Sequence, residues 1–224
     1  MIALACFVLL AEPAKDFPEE LQARARYATV RVVNCTCRTE GSGAVVGQSG
    51  PFVYVLTAAH VVAKAEKLEV HTFSADSYPK PEKVYDSAEV VAQSRDAADL
   101  ALIRIPTRDR APGVLTICPP DAVPARAFAA LSVGCDDGKA PTCQTEEARG
   151  KKQVRRPGET QDATCWQVAR KPAAGRSGGP LLDARGRVVG VCSGAADSGG
   201  YYSHAEAIHA FLKTNAYRWL YDDR

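Results

Sequence analysis

Residues 175–182 read GRSGGPLL, a serine held between glycines, then a proline, then the start of an apolar run. Glycine accepts backbone angles that other residues resist, so Ser177 lies where the chain can turn sharply. A serine fixed on such a turn presents its hydroxyl, and two nearby backbone N–H groups can be aimed at one point, as an oxyanion-binding site requires. A plain turn leading into a buried strand explains the octapeptide equally well. The rest of the chain has to separate the two readings.

The chain has 224 residues, 46% hydrophobic and 24% charged, ordinary values for a soluble globular protein. That length suits one all-β domain, or two small lobes sharing a core region. A formal net charge of +2 gives no reason to expect nucleic acid or a membrane surface as partner. The one basic cluster, Lys151, Lys152, Arg155 and Arg156, reads as a solvated loop. Residues 2–11 are apolar throughout, too few for a bilayer span of about 20 residues. They match the apolar region of a secretory signal, with a cut after Ala11. With the polar stretch AEPAKDFPEE that follows, residues 1–20 read as a leader, and an exported protein, periplasmic or extracellular, is expected. Leu4-Ala5-Cys6 resembles part of a lipoprotein box and leaves a lipid anchor open.

Cysteine usage points the same way. Cys6, Cys35, Cys37, Cys118, Cys135, Cys143, Cys165 and Cys192 are many and dispersed, which fits a few disulfides in an oxidising compartment. Cys135 with Cys143, and Cys165 with Cys192, are possible pairs; loss of Cys6 would leave an odd thiol. There is a single C-x-C and no C-x-x-C, and the four histidines show no ligand spacing, so neither a metal nor another cofactor is expected.

Short runs rich in Val, Ile, Tyr and Phe recur between turn residues, and they predict strands. The first half carries them at 27–33, 43–47, 52–56, 67–73, 88–93 and 99–105. The stretch PTRDRAPG at 106–113 then reads as a boundary. The second half carries them at 114–117, 127–134, 165–169, 180–184 and 187–194, with one or two hairpins in the polar region 135–163. Many short strands without long helical patterns argue for an all-β sandwich or barrel. Ser203-His204-Ala205-Glu206 reads as a capping box with Ser203 as cap. Ala205, Ile208, Phe211 and Leu212 then form one apolar face of a helix over about 203–214.

A serine hydroxyl is a weak nucleophile that needs a base, and the base needs an orienting partner. His60, in VLTAAHVV (55–62), stands where an apolar strand ends in two small residues. Asp99 opens the apolar strand in DAADLALIRI (96–105), where a carboxylate avoids burial unless it is partnered. Asp96 is the competing acid and reads as a solvated loop charge. Each of these residues alone has a bland structural reading. Together, TAAH, DLAL and GRSGGP, in the order His60, Asp99, Ser177, resemble the trypsin-like serine peptidases over roughly residues 25–213. With Gly41-Ser42-Gly43 ahead of the histidine strand, the chain is more similar to the bacterial HtrA-type branch, here without room for a PDZ domain.

The resemblance implies two orthogonal six-stranded antiparallel β-barrels, at about 25–107 and 113–200, with a C-terminal helix. It implies a serine endopeptidase acting on polypeptides through an acyl-enzyme. Ser177 would be the nucleophile, His60 the base, Asp99 its orienting acid, and the N–H groups of Gly175 and Ser177 the oxyanion donors. Val191, Cys192, Ser193 and Gly194 would line the substrate pocket, with Lys171 at its floor. Arg176 departs from the aspartate that the digestive enzymes carry before the serine and that a freed N-terminus pairs with; a bulky charge there threatens the oxyanion site. A catalytically silent binding protein on the same fold is therefore the competing reading. An esterase of the α/β-hydrolase type is set aside, because its triad runs in the order Ser, acid, His.

Overall fold

The computed structural model describes residues 16–94, 98–111, 113–156 and 160–222. A short helix, α1 (Glu19–Tyr27), leads into seven strands: β1 (Thr29–Asn34), β2 (Thr39–Ser49), β3 (Phe52–Thr57), β4 (Leu68–Thr72), β5 (Lys83–Tyr85), β6 (Glu89–Gln93) and β7 (Ala101–Pro106). Seven more follow: β8 (Phe128–Gly134), β9 (Thr142–Ala148), β10 (Lys151–Val154), β11 (Ala163–Val168), β12 (Pro180–Leu182), β13 (Val188–Ala196) and β14 (Gly199–His204). The chain closes with α2 (Ala205–Thr214) and α3 (Trp219–Asp222). No helix among the described residues is long and apolar enough to cross a membrane.

The strands form two antiparallel sheets, ordered β5-β4-β1-β2-β3-β7-β6 and β10-β11-β14-β13-β12-β8-β9. Each has seven strands where six were expected. The edge strands of the first sheet, β5 and β6, are separated only by residues 86–88. Those of the second, β9 and β10, are separated only by Arg149 and Gly150. So short a link cannot span an open sheet, so the two edge strands of each sheet lie near one another, an arrangement compatible with a barrel. From the link in the second sheet, Arg149 N–H donates to Gln167 O at 2.8 Å.

Hydrophobic pairing across the strands builds the core. β2 and β3 contribute Ala44, Val45, Val46, Val53, Val55 and Leu56, all buried, and β7 adds Leu102, Ile103 and Ile105. The predicted strand 114–117 belongs to neither sheet. It is an extended strap: Leu115 N–H donates to Val45 O of the first sheet, and Val188 N–H of the second donates to Thr116 O, both at 2.8 Å. β14 went unread because Gly199 and Gly200 open it and its apolar content is low, yet it is a central strand of its sheet.

Phe17 is buried and α1 begins at Glu19. The first 15 residues, including Cys6, lie outside the described residues. Two further expectations are corrected. No disulfide forms among the seven described cysteines, which are all free. The register shows why: Cys143 lies opposite Val133 rather than Cys135, and β14 separates Cys165 from Cys192. Burial pushes the Cys135 and Cys192 thiols up to about 12, so they act as small apolar side chains. Finally, the helix cap is His204, not Ser203. The chain stays extended through β14, and Ser203 Oγ donates instead to Ala98 O at 2.6 Å.

His204 is fully buried, with its ring 4.4 Å from that of Trp166. Its Nδ1 accepts the Glu206 N–H at 3.1 Å, which requires that nitrogen to be unprotonated. Burial pushes its pKa down to about 4, the Glu206 charge opposing this only in part. The unfolded chain therefore takes up a proton near pH 6.5 that the native state refuses until about pH 4. Stability contributed by the neutral ring is complete above the unfolded value and is lost as pH falls between the two. Denaturant unfolding at pH 7 and pH 4.5 should show a loss of a few kcal/mol, at ~1.4 kcal/mol per pKa unit. His204→Asn keeps a capping oxygen and should flatten this dependence. Some slope remains, because burial also lowers the pKa of His209.

Candidate active site

β3 ends at Thr57, and the chain then tightens into a turn. Val61 N–H donates to Ala58 O and Val62 N–H to Ala59 O, each at 3.2 Å. Buried Ala59, Val61 and Val62 anchor the turn and leave His60 as its outward residue, with 47% of its side chain exposed. The two small residues before the histidine matter here, since a larger side chain at Ala58 would have no space in that buried position.

Asp99 precedes β7 with a positive φ of 54°, a conformation Asp tolerates better than most residues. It is 6% exposed and grips the histidine turn at three points. Its O accepts Ala59 N–H at 3.1 Å, its Oδ1 accepts His60 N–H at 2.9 Å, and its Oδ2 lies 2.8 Å from His60 Nδ1. An ionised carboxylate only accepts, so His60 carries a proton on Nδ1, which in the neutral ring leaves the lone pair on Nε2. Ser193 Oγ, from the second sheet, also donates to Asp99 Oδ2 at 2.5 Å. Arg156 Nη2 lies 3.3 Å from that oxygen and donates to Ser193 Oγ. Burial pushes the Asp99 carboxyl up, but the hydrogen bond and charge of His60, the Arg156 charge and the Ser193 hydrogen bond hold it below the usual carboxylate range. The competing acid, Asp96, lies outside the described residues.

The serine turn joins the two sheets. Ser42 N–H, on β2, donates to Ser177 O at 2.7 Å, and Gly178 N–H donates to Cys192 O on β13 at 2.7 Å. Gly178 has φ +85°, and a Cβ there would lie 2.1 Å from Ser42 O and 2.2 Å from Thr57 Oγ1. Only glycine fits, and the contact sets the serine turn directly against the start of the histidine turn. Ser177 Oγ makes no hydrogen bond among the described residues. Of the amides from 175 to 179, those of Arg176, Gly178 and Gly179 have backbone partners, whereas those of Gly175 and Ser177 have none among the described residues. Gly175 adopts φ +84°, with a Cβ position blocked by Cys135 O at 2.3 Å.

The pocket residues divide. Val191 and Cys192 are buried in the core, and the Cys192 backbone is spent on the serine turn: its N–H donates to Gly179 O at 2.8 Å, beside the bond from Gly178. They do not line a cleft. Ser193 and Gly194 do, with Ala195, Ala196, Arg156 and Tyr201, around a hollow of about 380 Å³. Lys171 is not a pocket floor; it is exposed and its Nζ pairs with Asp197 Oδ1 at 3.0 Å. Arg176 does not obstruct the serine turn, because its side chain is 0% exposed and turned into the second sheet. The role of Arg156 beside Asp99 had no signal in the sequence, where it looked like one of several loop cations. Ser42 was visible only as the centre of a Gly-Ser-Gly.

A family model described as a trypsin-like peptidase domain matches residues 41–191, more than half of the chain. Among solved structures, the active form of the Rv3671c protease from M. tuberculosis gives a TM-score of 0.70 at 21% identity, covering 91% of this chain and 93% of that one. The inactive form of the Rv3671c protease gives 0.69 at 23% identity over 87% and 92%. A serine endoprotease from Yersinia pestis gives 0.69 at 22% identity over 92% of this chain and 67% of its own. At these identities the structures establish a shared fold. A sequence comparison with curated proteins gives no match.

The Asp99 environment is open to direct measurement. Carboxyl-carbon NMR of the folded protein should place its titration below the ~3.9 of a free aspartate. Ser193→Ala removes a donor to the ionised form and should move that titration up; an unmoved value would show that the Ser193 bond does not act on the carboxylate.

Proposed function

The chain belongs to the trypsin-like peptidase domain family, and from that premise we propose that it hydrolyses peptide bonds through Ser177, His60 and Asp99. The observation that carries this reading is the paired state of the site. His60 is held by a buried, ionised Asp99 with its Nε2 lone pair free, and two amides of the adjoining serine turn are left without partners. His60 Nε2 takes the Ser177 proton as Oγ attacks the substrate carbonyl, and later protonates the leaving amine. Asp99 keeps the tautomer and offsets the imidazolium charge. Gly175 and Ser177 N–H receive the oxygen of the tetrahedral intermediate, and the acyl-enzyme is released by water. Contacts between nucleophile and base are often loose without substrate and tighten in the complex, which accommodates a Ser177 Oγ that makes no hydrogen bond among the described residues.

The substrate is a polypeptide, and strand β13 beyond its bulge at Ser193 is the edge against which an extended chain would pair. The silent-binder reading loses its main support, because Arg176 leaves the two amides unobstructed.

The test is labelling by a fluorophosphonate, which reacts only with an activated serine. Wild-type protein should label and Ser177→Ala should not. With a peptide substrate, Asp99→Asn should lower kcat by about 10⁴-fold through the wrong histidine tautomer. Folded wild-type protein that fails to label would return the binding-protein reading to the front.

A further inference from the structure

Two amides left unpaired in a half-buried turn are costly, and a peptide that can rotate will turn to satisfy them. Something must therefore hold the peptide planes of residues 173–177 in place. Each carbonyl in this stretch has a donor on it. Ala173 O accepts Arg176 N–H at 3.2 Å, Gly175 O accepts Ser42 Oγ–H at 2.7 Å, and Arg176 O accepts Gly179 N–H at 2.9 Å. The decisive plane is the one joining Ala174 to Gly175, since it carries the Gly175 N–H. Its oxygen accepts Asp137 N–H at 2.7 Å.

Asp137 belongs to a single tight turn, Asp136–Gly138, with a positive φ of 52° at Asp137 itself. The turn makes two bonds of its own, Gly138 N–H to Cys135 O at 3.1 Å and Lys139 N–H to Asp136 O at 3.0 Å. Its connection back to the serine turn runs through a side chain. The fully buried Arg176 reaches back with a two-pronged bond, Nε to Asp136 Oδ1 at 2.8 Å and Nη2 to Asp136 Oδ2 at 2.7 Å. The rest of the guanidinium is satisfied by Ser132 Oγ at 3.0 Å and Thr142 Oγ1 at 2.8 Å, and Ser132 continues to Tyr202 OH at 2.7 Å. Asp136 also accepts from Thr142 Oγ1 and Gln144 Nε2, and Arg31 of the first sheet donates to Gly138 O.

We propose that Arg176 and Asp136 are the positioning pair of the oxyanion site: the side chain of Arg176 fixes the Asp136–Gly138 turn, whose Asp137 N–H locks the Ala174–Gly175 peptide with Gly175 N–H toward the cleft. The circuit is closed within the folded chain. It needs no freed N-terminus, so the site is formed as soon as the chain folds. A buried ion pair is weak as a source of stability; a bidentate fork is strong as a source of direction. This inference rests on the peptidase reading above.

The experiment compares wild type with Asp136→Asn, and with the double variant Asp136→Asn/Arg176→Met, which leaves no unpaired buried charge. Two readouts are taken on protein shown to be folded by circular dichroism. The first is kcat and KM on a peptide. The expected result is a fall in kcat of about 10²- to 10³-fold, the loss typical of one oxyanion donor, with KM changed less than threefold. The second is hydrogen exchange at the Asp137 amide, which should lose protection in both variants. The double variant should be no worse than the single, since both break one circuit. Folded variants that keep kcat within threefold and keep Asp137 protected would overturn the proposal. Should wild type itself show no activity, the peptidase reading fails. The amide exchange still decides whether the pair holds the turn.

Discussion

A carboxylate buried between two sheets has to be surrounded by donors, and Asp99 meets that demand from both sides. The first sheet supplies the backbone and ring of His60, and the second supplies Ser193 and, behind it, Arg156. Leaving such a charge unpartnered costs several kcal/mol, so the relative placement of the two sheets is constrained by one side chain. The neighbouring residue adds to the constraint, because Ser203 of β14 ties down Ala98 O. The orientation of the histidine, and hence the position of its free nitrogen, follows from satisfying Asp99.

The serine turn obeys the opposite logic. There the functional groups are those left unsatisfied. Neighbouring carbonyls and amides are bonded to Ser42, Cys192, Asp137 and one another, and the two remaining N–H groups have nowhere else to turn. Ser42 is central to this: its N–H and hydroxyl bond residues 177 and 175, its O accepts Thr57 Oγ1–H at 2.6 Å, and its Oγ accepts Cys135 N–H at 2.8 Å. One small residue on β2 thereby joins the histidine strand, the serine turn and the Asp136–Gly138 turn.

Several elements were legible because their signals are local. Short apolar runs rich in β-branched and aromatic residues, such as FVYVL and DLALIRI, report buried strands directly, and they became β3 and β7. The apolar face of α2 was read correctly down to Ile208, Phe211 and Leu212. The cap was misread because Ser203 and His204 both offer an acceptor, and the pairing of β14 with β13, a non-local fact, decides which of them is still extended. Cysteine count failed for the same reason. It speaks to the number of thiols, whereas a disulfide depends on strand register.

The sequence by itself determined that the chain is a set of short strands, and that His60, Asp99 and Ser177 stand at strand ends or on a glycine turn. Those properties come from side-chain periodicity and backbone freedom within a few residues. Only the tertiary structure decided the partners. Arg176 looked like an obstruction beside the serine and proved to be turned into the second sheet, 40 residues from its Asp136 in the chain. Lys171 looked like a pocket floor and proved to be a surface partner of Asp197. The physical reason is that a charged side chain has several low-energy directions open to it. The one it takes is set by where a complementary charge is brought by the fold, and nothing in the neighbouring sequence records that.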